Sequence, residues 1–322
     1  MNLNALRSRE QLRSNSFIEC RVNGLARIKL KRYETMEDKE YSGKHVVVTG
    51  GGSGIGRALA LAFAAEDAEV TITDIDQQRV DAVLAELRQT GVKASGHRVD
   101  HSSEEETRLF AENLLAATAA PDVVCANAGV AEGSPLDIAN MADWRWVMDI
   151  NVMGVAYTLR YLLPAMIERG SGSVLITASG AALVPGPGMA SYHASKAAAC
   201  SLGESLSIEL APKGINVSVL CPGIVKTAIA KDSRIHFGDE AEDNRVATNG
   251  VRRYEADDAV EPSVVARDAL RGLRKNKLII CSPWSHVGPG WLLHRLAPAW
   301  FNKKIVLPKW RGGELINGIR LR

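Results

Sequence analysis

The chain has 322 residues, of which 46% are hydrophobic and 24% charged, which suits one large globular domain or one domain with tails. Its net charge of +2 is unevenly distributed. Residues 1–32 carry +6 (eight basic residues, two acidic), and residues 283–322 carry +6 (seven basic, one acidic). The part of the chain between them is therefore acidic, which argues against a nucleic-acid partner. Apolar runs stay below the roughly 20 residues that span a bilayer. The five cysteines and seven histidines lack metal-ligand spacing, so we expect reduced thiols, a cytoplasmic protein and no metal.

From residue 44 onwards, short apolar segments alternate with amphipathic ones, and this pattern predicts strands alternating with helices. Strands are predicted at 45–49, 69–73, 94–99, 122–125, 173–177, 216–220 and 277–281. Helices are predicted at 57–65, 77–90, 104–116, 144–166 and 192–210. The alternation predicts an α/β fold with a doubly wound parallel sheet of about seven strands and helices on both faces. Residues 228–259, which are polar and have little periodicity, break the pattern.

A glycine-rich loop follows the first predicted strand and opens the first helix. Its sequence is Thr49-Gly50-Gly51-Gly52-Ser53-Gly54-Ile55-Gly56, and Arg57 stands where the common GxGxxG pattern has its last glycine. Glycine lets the backbone approach a diphosphate closely, and a helix N-terminus offers free N–H groups to the phosphates. A plain strand-to-helix turn is the alternative. The strand–loop–helix order favours a dinucleotide site at Gly50, Ser53, Gly54, Ile55 and Gly56.

An acidic residue, Asp74, ends the second predicted strand, 18 positions after Gly56. A carboxylate there can accept hydrogen bonds from both hydroxyls of an adenosine ribose, and it would repel the 2′-phosphate of NADP. Arg57, beyond the last glycine of the loop, is the only cation that the sequence places nearby. Asp74 therefore predicts NAD, with NADP as the less favoured cofactor. The alternative role for Asp74 is an N-cap of the following helix.

Two further polar positions follow predicted strands. Asp100 closes the third strand, and Asn127-Ala128-Gly129 closes the fourth. Ligands of open α/β sheets bind at the carboxyl ends of the strands. We therefore expect these residues to line the cofactor site.

Three residues in the second half of the chain have the chemistry of a proton-transfer site. Tyr192 and Lys196 are four apart on a predicted helix and share one face, and Ser179 follows the strand before that helix. A phenol has a pKa of about 10, and a neighbouring ammonium lowers that pKa because it favours the phenolate. The Ser179 hydroxyl can donate to a substrate oxygen on which charge develops. The set predicts interconversion of an alcohol and a carbonyl.

Over about residues 43–282, the sequence resembles the short-chain dehydrogenase/reductase family, of the single-domain type with TGxxxGxG and YxxxK motifs. The matching features come in the family's order: the loop 49–56, Asp74, Val99-Asp100, Ala126-Asn127-Ala128-Gly129, Asn151, Ser179, Tyr192-x-x-x-Lys196 and the run 222–227. The resemblance departs slightly at Ala126, where the family often has asparagine.

The resemblance implies a Rossmann-type fold and a catalytic tetrad of Asn151, Ser179, Tyr192 and Lys196. Tyr192 would be the acid/base. Lys196 would lower its pKa and hold the nicotinamide ribose, and Asn151 would anchor a water in the proton relay. Contacts on the nicotinamide side are implied for Pro222, Gly223, Val225 and Thr227.

The expected function is therefore that of an NAD(P)-dependent oxidoreductase that interconverts a secondary alcohol and a ketone. A cofactor-binding scaffold or regulator of the same fold, without turnover, is the alternative. The substrate pocket is expected within residues 228–260, and the apolar turn at 185–189 is expected to line one wall, which suggests a partly apolar small molecule. The enzyme is expected to form a homodimer or homotetramer.

Two basic extensions flank this domain. Residues 1–42 are expected to be poorly ordered, and Met36 is an alternative start of the protein. The other interpretations of this extension are a targeting or membrane-contact arm and a docking arm for a partner subunit. Residues 283–322 hold four of the six tryptophans among lysines and arginines, a composition typical of a membrane-interface segment. An oligomer contact or a substrate lid is the alternative for this second extension.

Overall fold

A computed structural model describes residues 17–22, 26–31 and 39–311. The contacts divide the chain into two units, Met1–Glu40 and Tyr41–Arg322. In the first unit, strands β1 (Phe17–Val22) and β2 (Ala26–Lys31) pair antiparallel, and the sequence analysis does not predict either strand. Met36 and most of the predicted extension 1–42 lie outside the described residues, so the expectations for this extension stay predictions.

The second unit is built on a seven-stranded sheet in which all neighbouring strands are parallel. All seven predicted strands are confirmed, with bounds within two residues of the prediction. They are β3 (His45–Thr49), β4 (Glu69–Asp74), β5 (Ala94–Arg98), β6 (Val123–Ala126), β8 (Gly172–Thr177), β9 (Ile215–Pro222) and β11 (Ile279–Ser282). Two short strands outside the sheet, β7 (Glu132–Gly133) and β10 (Arg234–Ile235), pair with each other.

The strand order is β11-β9-β8-β6-β3-β4-β5, so the chain winds outwards from β3 in both directions. This is the doubly wound, Rossmann-type order that the sequence predicts. The connections after β3 and after β6 leave the sheet on opposite sides of this switch point, and a crevice opens there at the carboxyl ends of the strands. The residues that follow the strands are thereby brought together.

Helices flank the sheet and continue beyond its last strand. They are α1 (Gly54–Ala64), α2 (Gln77–Gln89), α3 (Glu104–Ala117), α4 (Met141–Met148), α5 (Gly154–Arg169), α6 (Gly180–Leu183), α7 (Ala190–Leu210), α8 (Glu240–Glu255), α9 (Pro262–Arg274), α10 (Trp284–Leu296), α11 (Pro298–Phe301) and α12 (Leu307–Arg311). The five predicted helices correspond to α1, α2, α3, the run α4–α5, and α7.

Two apolar layers cover the two faces of the sheet. On one face, α1 buries Leu59 and Phe63 against the strands, and α9 joins the same cluster through Leu270. On the other face, α3 and α5 bury Phe110 and Leu162. Strand β3, with the sequence HVVVT, is buried along its whole length, as expected for a β-branched central strand of a parallel sheet.

The helical run Met141–Arg169 is, among the described residues, long and apolar enough to cross a membrane by length and composition. Several of its apolar side chains, however, belong to the core: Val155, Leu159, Leu162 and Met166 are at most 3% exposed. They pack against α3 and the sheet. The run is therefore explained as a core helix of the sheet's second face.

Helix α8 lies within the segment 228–259, where the sequence analysis expects no regular element. Its ends explain why the apolar pattern does not predict it. Asp239 caps the first turn by accepting from the N–H of Glu242, and Arg252 and Arg253 stand in the last turn, where a cation is favourable. Val246 and Gly250 are its buried residues, so polar end effects stabilise this helix in place of an apolar stripe.

Candidate active site

A cavity of about 420 Å³ lies at the carboxyl ends of the parallel strands, beside the switch point. A volume in this range is typical of small-ligand sites. The lining contains Ser179 and all sixteen residues predicted to contact a cofactor. These sixteen are Gly50, Ser53, Gly54, Ile55, Gly56, Asp74, Asp100, Asn127, Ala128, Gly129, Tyr192, Lys196, Pro222, Gly223, Val225 and Thr227.

The glycine loop joins β3 to α1 along one side of the cavity. Gly54 has a φ of +51°, a left-handed conformation that favours glycine. A Cβ at Gly56 would lie 2.0 Å from the carbonyl oxygen of Gly50, so this position admits no side chain. Ser53 precedes α1 without a side-chain cap, which leaves the first N–H groups of the helix for a ligand. The loop therefore has the close backbone approach and the donors that a diphosphate requires.

Asp74, at the end of β4, is held against this loop. Its Oδ2 accepts from the backbone N–H of Gly52 at 3.0 Å, and its Oδ1 accepts from the N–H of Asp76 at 3.2 Å. The capping role left open for Asp74 belongs instead to Asp76, whose side chain accepts from the N–H groups of Gln78 and Arg79. Asp74 is thus available to accept hydrogen bonds from a ribose.

The cation nearest to Asp74 is not the one that the sequence indicates. Arg57 turns away from the cavity and pairs with Glu86. Arg79 lines the cavity instead, and a Cβ at Gly52 would lie 2.8 Å from both the Asp74 Oδ2 and the Arg79 Cβ. The expectation that Arg57 is the only nearby cation is therefore wrong. It failed because Arg79, in the first turn of α2, is brought beside Asp74 by the packing of α2 on β4.

The Arg79 guanidinium is itself paired with carboxylates. It lies 3.4 Å from Asp76, and its Nη1 donates to Asp232 Oδ2 at 3.1 Å. Asp232 belongs to the segment after β9 and also lines the cavity, so this ion pair joins two sides of the site. All three side chains are about two-fifths exposed, and solvent weakens the attraction accordingly.

Asn127 and Asp100 fix the backbone around the cavity through hydrogen bonds to neighbouring residues. The Asn127 side chain donates to the carbonyl oxygen of Thr49 at 3.1 Å, and the Thr49 hydroxyl accepts from the N–H of Asn127 at 2.9 Å. These bonds tie the end of β6 to the end of β3. The Asp100 Oδ1 accepts from the N–H and the hydroxyl of Ser102, at 2.9 and 2.7 Å, which fixes the turn after β5.

Ser179, Tyr192 and Lys196 meet at the end of the cavity away from Asp74. Ser179 follows β8, and its Oγ accepts from the N–H of Ala181 at 3.1 Å. Tyr192 and Lys196 project from the buried face of α7, and the Lys196 Nζ lies 5.9 Å from the centre of the Tyr192 ring. The Lys196 Nζ donates to the carbonyl oxygen of Thr177 at 3.1 Å.

Burial dominates the electrostatics of this group. It raises the pKa of the Tyr192 phenol, and a hydrogen bond with Ser179 opposes that shift. Burial also lowers the pKa of Lys196 to about 8. The lowering of the Tyr192 pKa that we expected from Lys196 is not found. The Lys196 Nζ lies 5.9 Å from the ring centre, and burial is the larger influence on the phenol.

Asn151 lies just behind the cavity wall, 1% exposed. It sits in a π-helical turn, Asp149–Met153, between α4 and α5. Its side chain donates to the carbonyl oxygen of Val130 at 2.9 Å and to the Ser195 Oγ at 3.0 Å, and it accepts from the N–H of Val130 at 2.8 Å. A Cβ at Gly129 would lie 3.0 Å from the Asn151 Oδ1 and 2.9 Å from the Lys196 Nζ. Asn151 therefore fixes the backbone beside Lys196.

Four further large side chains, not singled out by name from the sequence, line the cavity. They are Trp146, Ile150, Ile229 and Tyr254, which come from α4, the π turn, the segment after β9, and α8. The Tyr254 phenol lies close enough to Tyr192 for their charges to interact, and burial raises its pKa. Ile229 and Tyr254 lie in the segment 228–260, where the substrate pocket is expected, whereas Trp146 and Ile150 lie outside it and at no strand end, so no positional rule predicts them. The turn 185–189, expected to line one wall, does not line this cavity.

Two histidines near the site are held by hydrogen bonds within the protein. His101 is 5% exposed and bonded through Nε2 to the Thr73 hydroxyl at 2.7 Å. Burial lowers its pKa to about 4, so it is neutral at pH 7. His193, next to Tyr192, is bonded through Nδ1 to the carbonyl oxygen of Ala181 at 2.8 Å, and burial lowers its pKa as well.

Comparison with known proteins gives matches over the same region. A sequence profile described as short chain dehydrogenase matches residues 44–236, more than half of the chain. The probable oxidoreductase EphD of Mycobacterium tuberculosis is 34% identical over 209 residues, which cover 64% of this chain but only 35% of that protein. The chain thus spans about a third of that relative.

Two solved structures are similar to the fold described above. One is a short chain dehydrogenase/reductase from Burkholderia phymatum in complex with NAD, with a TM-score of 0.73 and 30% identity over 81% of this chain and 95% of that one. The other is an alcohol dehydrogenase from Thermococcus sibiricus complexed with 5-hydroxy-NADP, with a TM-score of 0.63 and 26% identity over 74% and 96%.

The profile match covers the glycine loop, Asp74, Asn151, Ser179, Tyr192 and Lys196 in one stretch. The structural similarity extends to the strand order and to most of each chain. The protein therefore belongs to the short-chain dehydrogenase/reductase family of oxidoreductases.

Proposed function

We propose that the protein is an NAD-dependent dehydrogenase that interconverts a secondary alcohol and a ketone, with Tyr192 as the acid/base. One observation carries the proposal. Ser179, Tyr192 and Lys196 lie at one end of the same cavity whose other end is formed by the glycine loop and Asp74. A dinucleotide bound along the loop would extend from Asp74 towards these three side chains.

The residues present suit a nicotinamide dinucleotide. The Gly56 position has no room for a Cβ, the N-terminus of α1 lacks a side-chain cap, and the Asp74 carboxylate lies against the loop. The nicotinamide ring, when bound, supplies the hydride acceptor or donor. Lys196, beside Gly129 and anchored on Thr177, would bind its ribose, and Asn127 keeps the two strand ends beneath it in register.

The proton moves at the Tyr192 hydroxyl in this proposal. In oxidation, the phenolate oxygen takes the proton of the alcohol as the C–H electron pair leaves as hydride; in reduction, the phenol returns the proton to the carbonyl oxygen. The Ser179 hydroxyl, already bonded to Tyr192, would hold the substrate oxygen at the same point. Asn151 is proposed to position the backbone of Val130, to which it is bonded, and the water that the family resemblance implies at its side chain stays a prediction.

The choice of NAD over NADP rests on Asp74. Its carboxylate would accept from the ribose hydroxyls and would repel a 2′-phosphate at the same place. Arg79 is the cation that could receive such a phosphate, but Asp76 and Asp232 already offset its charge. The balance of charge around the ribose position is therefore negative.

The substrate is proposed to be a small, partly apolar molecule. Trp146, Ile150 and Ile229 give the cavity apolar walls near Tyr192, and the Tyr254 phenol offers one further hydrogen bond there. We propose that Tyr254 contacts the substrate. This contact would not take part in proton transfer, because Ser179 and Lys196 accompany Tyr192 and not Tyr254.

We also propose a cytoplasmic homodimer or homotetramer. The buried cysteines Cys125, Cys200, Cys221 and Cys281 are free thiols, which supports a reducing compartment. Large apolar side chains are exposed on α3 and α7, at Leu109 and Ile208, and suit a contact with a second copy. Light scattering of the purified protein would give its mass in solution.

The experiment that tests the function is the appearance of NADH with a panel of secondary alcohols, hydroxysteroids and 3-hydroxyacyl thioesters. We expect turnover with at least one class and little with NADP in place of NAD. NAD binding in a fluorescence titration, with no turnover on any member and none in the reverse direction with the matching ketones, would support a cofactor-binding scaffold instead.

A further inference from the structure

The residues after the last strand, 283–311, form a segment with an unusually apolar exposed surface. We call them the C-terminal segment; they contain α10, α11 and α12. Of the fifteen exposed large apolar side chains in the described part of the chain, seven lie in this short segment. The seven are Trp284, Leu292, Leu293, Leu296, Trp300, Ile305 and Leu307. Leu296 is 84% exposed and Trp300 50%, so these side chains are not part of the core of the described chain.

The same segment is basic. It contains Arg295, Lys303, Lys304, Lys309 and Arg311 and no acidic residue, which gives +5. All five basic side chains are exposed, and no salt bridge joins them to a carboxylate of the described residues. Exposed tryptophans and leucines therefore stand among uncompensated positive charges.

The other side of the C-terminal segment is packed on the catalytic unit. At its start, Val287 is buried, and a Cβ at Gly180 would lie 3.2 Å from it. His286 lies beside Gly223. At its end, Trp310 packs in a small cluster around Val246 of α8. The segment is thus fixed at two points, and its exposed apolar and basic side chains have no place in that packing.

We propose that the C-terminal segment is a docking surface for an anionic membrane. A helical segment with tryptophan and leucine beside lysine and arginine binds at a bilayer surface by burying the apolar side chains at the headgroup boundary and placing the cations near anionic lipid. Trp and Lys both suit this boundary, because each has an apolar body and a polar end.

Charge favours a lipid surface over a second copy of the chain. A two-fold contact centred on the segment would bring it against itself, and five positive charges would face five others without an acidic residue of the segment between them. Anionic headgroups compensate the same charges. The segment also differs from the exposed apolar residues of α3 and α7, which lie on helices that carry acidic side chains such as Glu105 and Glu209.

The test is flotation of the full chain with vesicles of phosphatidylserine and phosphatidylcholine in equal amounts. We expect binding at low salt, weaker binding at high salt because salt screens the charges, and none to vesicles of phosphatidylcholine alone. Flotation measures binding without turnover, so its failure would leave the proposed dehydrogenase activity untouched, and the reverse also holds.

Matched variants locate the binding surface. A triple variant should bind vesicles more weakly by on the order of 100-fold, because each charge near the surface contributes roughly fivefold to the affinity. Its substitutions are Lys303→Gln, Lys304→Gln and Lys309→Gln. Leu296→Ser should weaken binding as well, because an exposed apolar anchor is lost. The control variants are Lys213→Gln, Lys275→Gln and Lys277→Gln combined, and Leu136→Ser, all at exposed positions outside the segment. They should float as the unmodified chain does.

Three results would overturn the proposal. The first is no flotation at low salt. The second is flotation that the lysine variants of the segment and the control variants reduce equally, which would place the binding elsewhere, for example in the basic residues 1–32. The third is a fall in molecular mass in solution with Leu296→Ser, without a change in flotation, which would assign this surface to contact between copies of the chain.

Discussion

The two ends of the cavity are built in different ways. The cofactor end consists of short turns that directly follow parallel strands: the glycine loop after β3, Asp74 at the end of β4 and residues 127–129 after β6. The substrate end consists of side chains from helices and from the segment after β9, with Trp146 and Tyr254 as its largest members. Hydrogen bonds of the sheet hold the first set, whereas side-chain contacts hold the second.

The contacts at the substrate end are mostly polar and partly exposed. Asp143 of α4 is buried and pairs with Arg234, and its Oδ2 lies 2.9 Å from the His236 Nε2. These contacts fasten the segment before α8 to α4. The Arg234 guanidinium also stacks over Trp146 at 3.9 Å. Because these contacts join side chains outside the sheet, they can be replaced by other residues without disturbing the strands. The difference teaches that this fold can keep one cofactor and one proton donor while its substrate changes.

The largest expected effect comes from Tyr192→Phe, which tests whether the chemistry belongs to the group of Ser179, Tyr192 and Lys196 and not to the rest of the substrate end. The ring remains and the transferable proton is lost, so turnover should fall by about 100-fold or more. NAD affinity should change little, because Tyr192 acts on the substrate. Steady-state rates and a fluorescence titration of NADH measure the two quantities.

A Tyr192→Phe enzyme within a few-fold of the unmodified rate would contradict the proposed mechanism. The matched control is Tyr157→Phe, which removes a phenol from a residue on α5 that does not line the cavity. Its turnover should be close to that of the unmodified enzyme.

The second prediction concerns stability and Lys196. Burial lowers the pKa of Lys196 to about 8 from its ordinary 10.5, so at pH 7 the folded state carries a buried charge that the unfolded state exposes to water. Lys196→Met should therefore raise the free energy of unfolding at pH 7 by roughly 1–3 kcal/mol, after the loss of the bond to Thr177 is counted. The enzyme should lose activity at the same time.

The sign of this effect follows from the two pKa values. Between pH 8 and 10.5 the unfolded state binds more protons than the folded state, so the unmodified protein gains stability as pH rises. The advantage of Lys196→Met should accordingly shrink by pH 10. Urea unfolding at both pH values, without added cofactor, measures it, and Lys213→Met at an exposed position is the control. An advantage that is independent of pH would show that packing and not charge is responsible.

The third prediction tests the cofactor end alone. NAD should bind at least roughly tenfold more tightly than NADP, a difference of about 1.4 kcal/mol. Asp74→Ala should bring the two affinities close together, mainly by admitting NADP, because the repelling carboxylate is gone while Arg79 remains. Adding Arg79→Ala to that variant should weaken NADP again. Equal affinities of the unmodified protein for the two cofactors would refute the assignment of Asp74.

The difference between the two ends also explains what the sequence can predict. Each strand of the sheet is predicted from its apolar run, and the residues after the runs, such as Asp74 and Asn127, must meet because parallel strands end at one edge. The spacing of Tyr192 and Lys196 on α7 is fixed by the helix period alone. These positions depend on local pattern and on one topological rule.

The other residues depend on contacts between distant segments, which no local pattern specifies. Arg79 reaches Asp232 across 153 positions of the chain, and Tyr254 reaches Tyr192 only because α8 folds over the cavity. Asn151 is predicted by family resemblance, but the π turn that aims its side chain at Val130 has no sequence signal of its own. The raised pKa of Tyr192 likewise depends on the depth of burial, which composition does not give.

The smallest expected effect comes from Tyr254→Phe, which tests the substrate end. The variant keeps the ring that lines the cavity and removes one hydroxyl next to Tyr192. A hydrogen bond to the substrate contributes about 1 kcal/mol, so kcat/KM should fall roughly fivefold, mainly through KM. NAD affinity should not change, since Tyr254 belongs to α8 and not to a strand end. Substrates that lack a second polar group should be turned over as before, and comparing an alcohol with and without such a group measures this directly. If Tyr254→Phe instead lowers kcat as strongly as Tyr192→Phe, for every substrate, then the two phenols act together in proton transfer and the division of the cavity into a chemical and a recognition part is wrong.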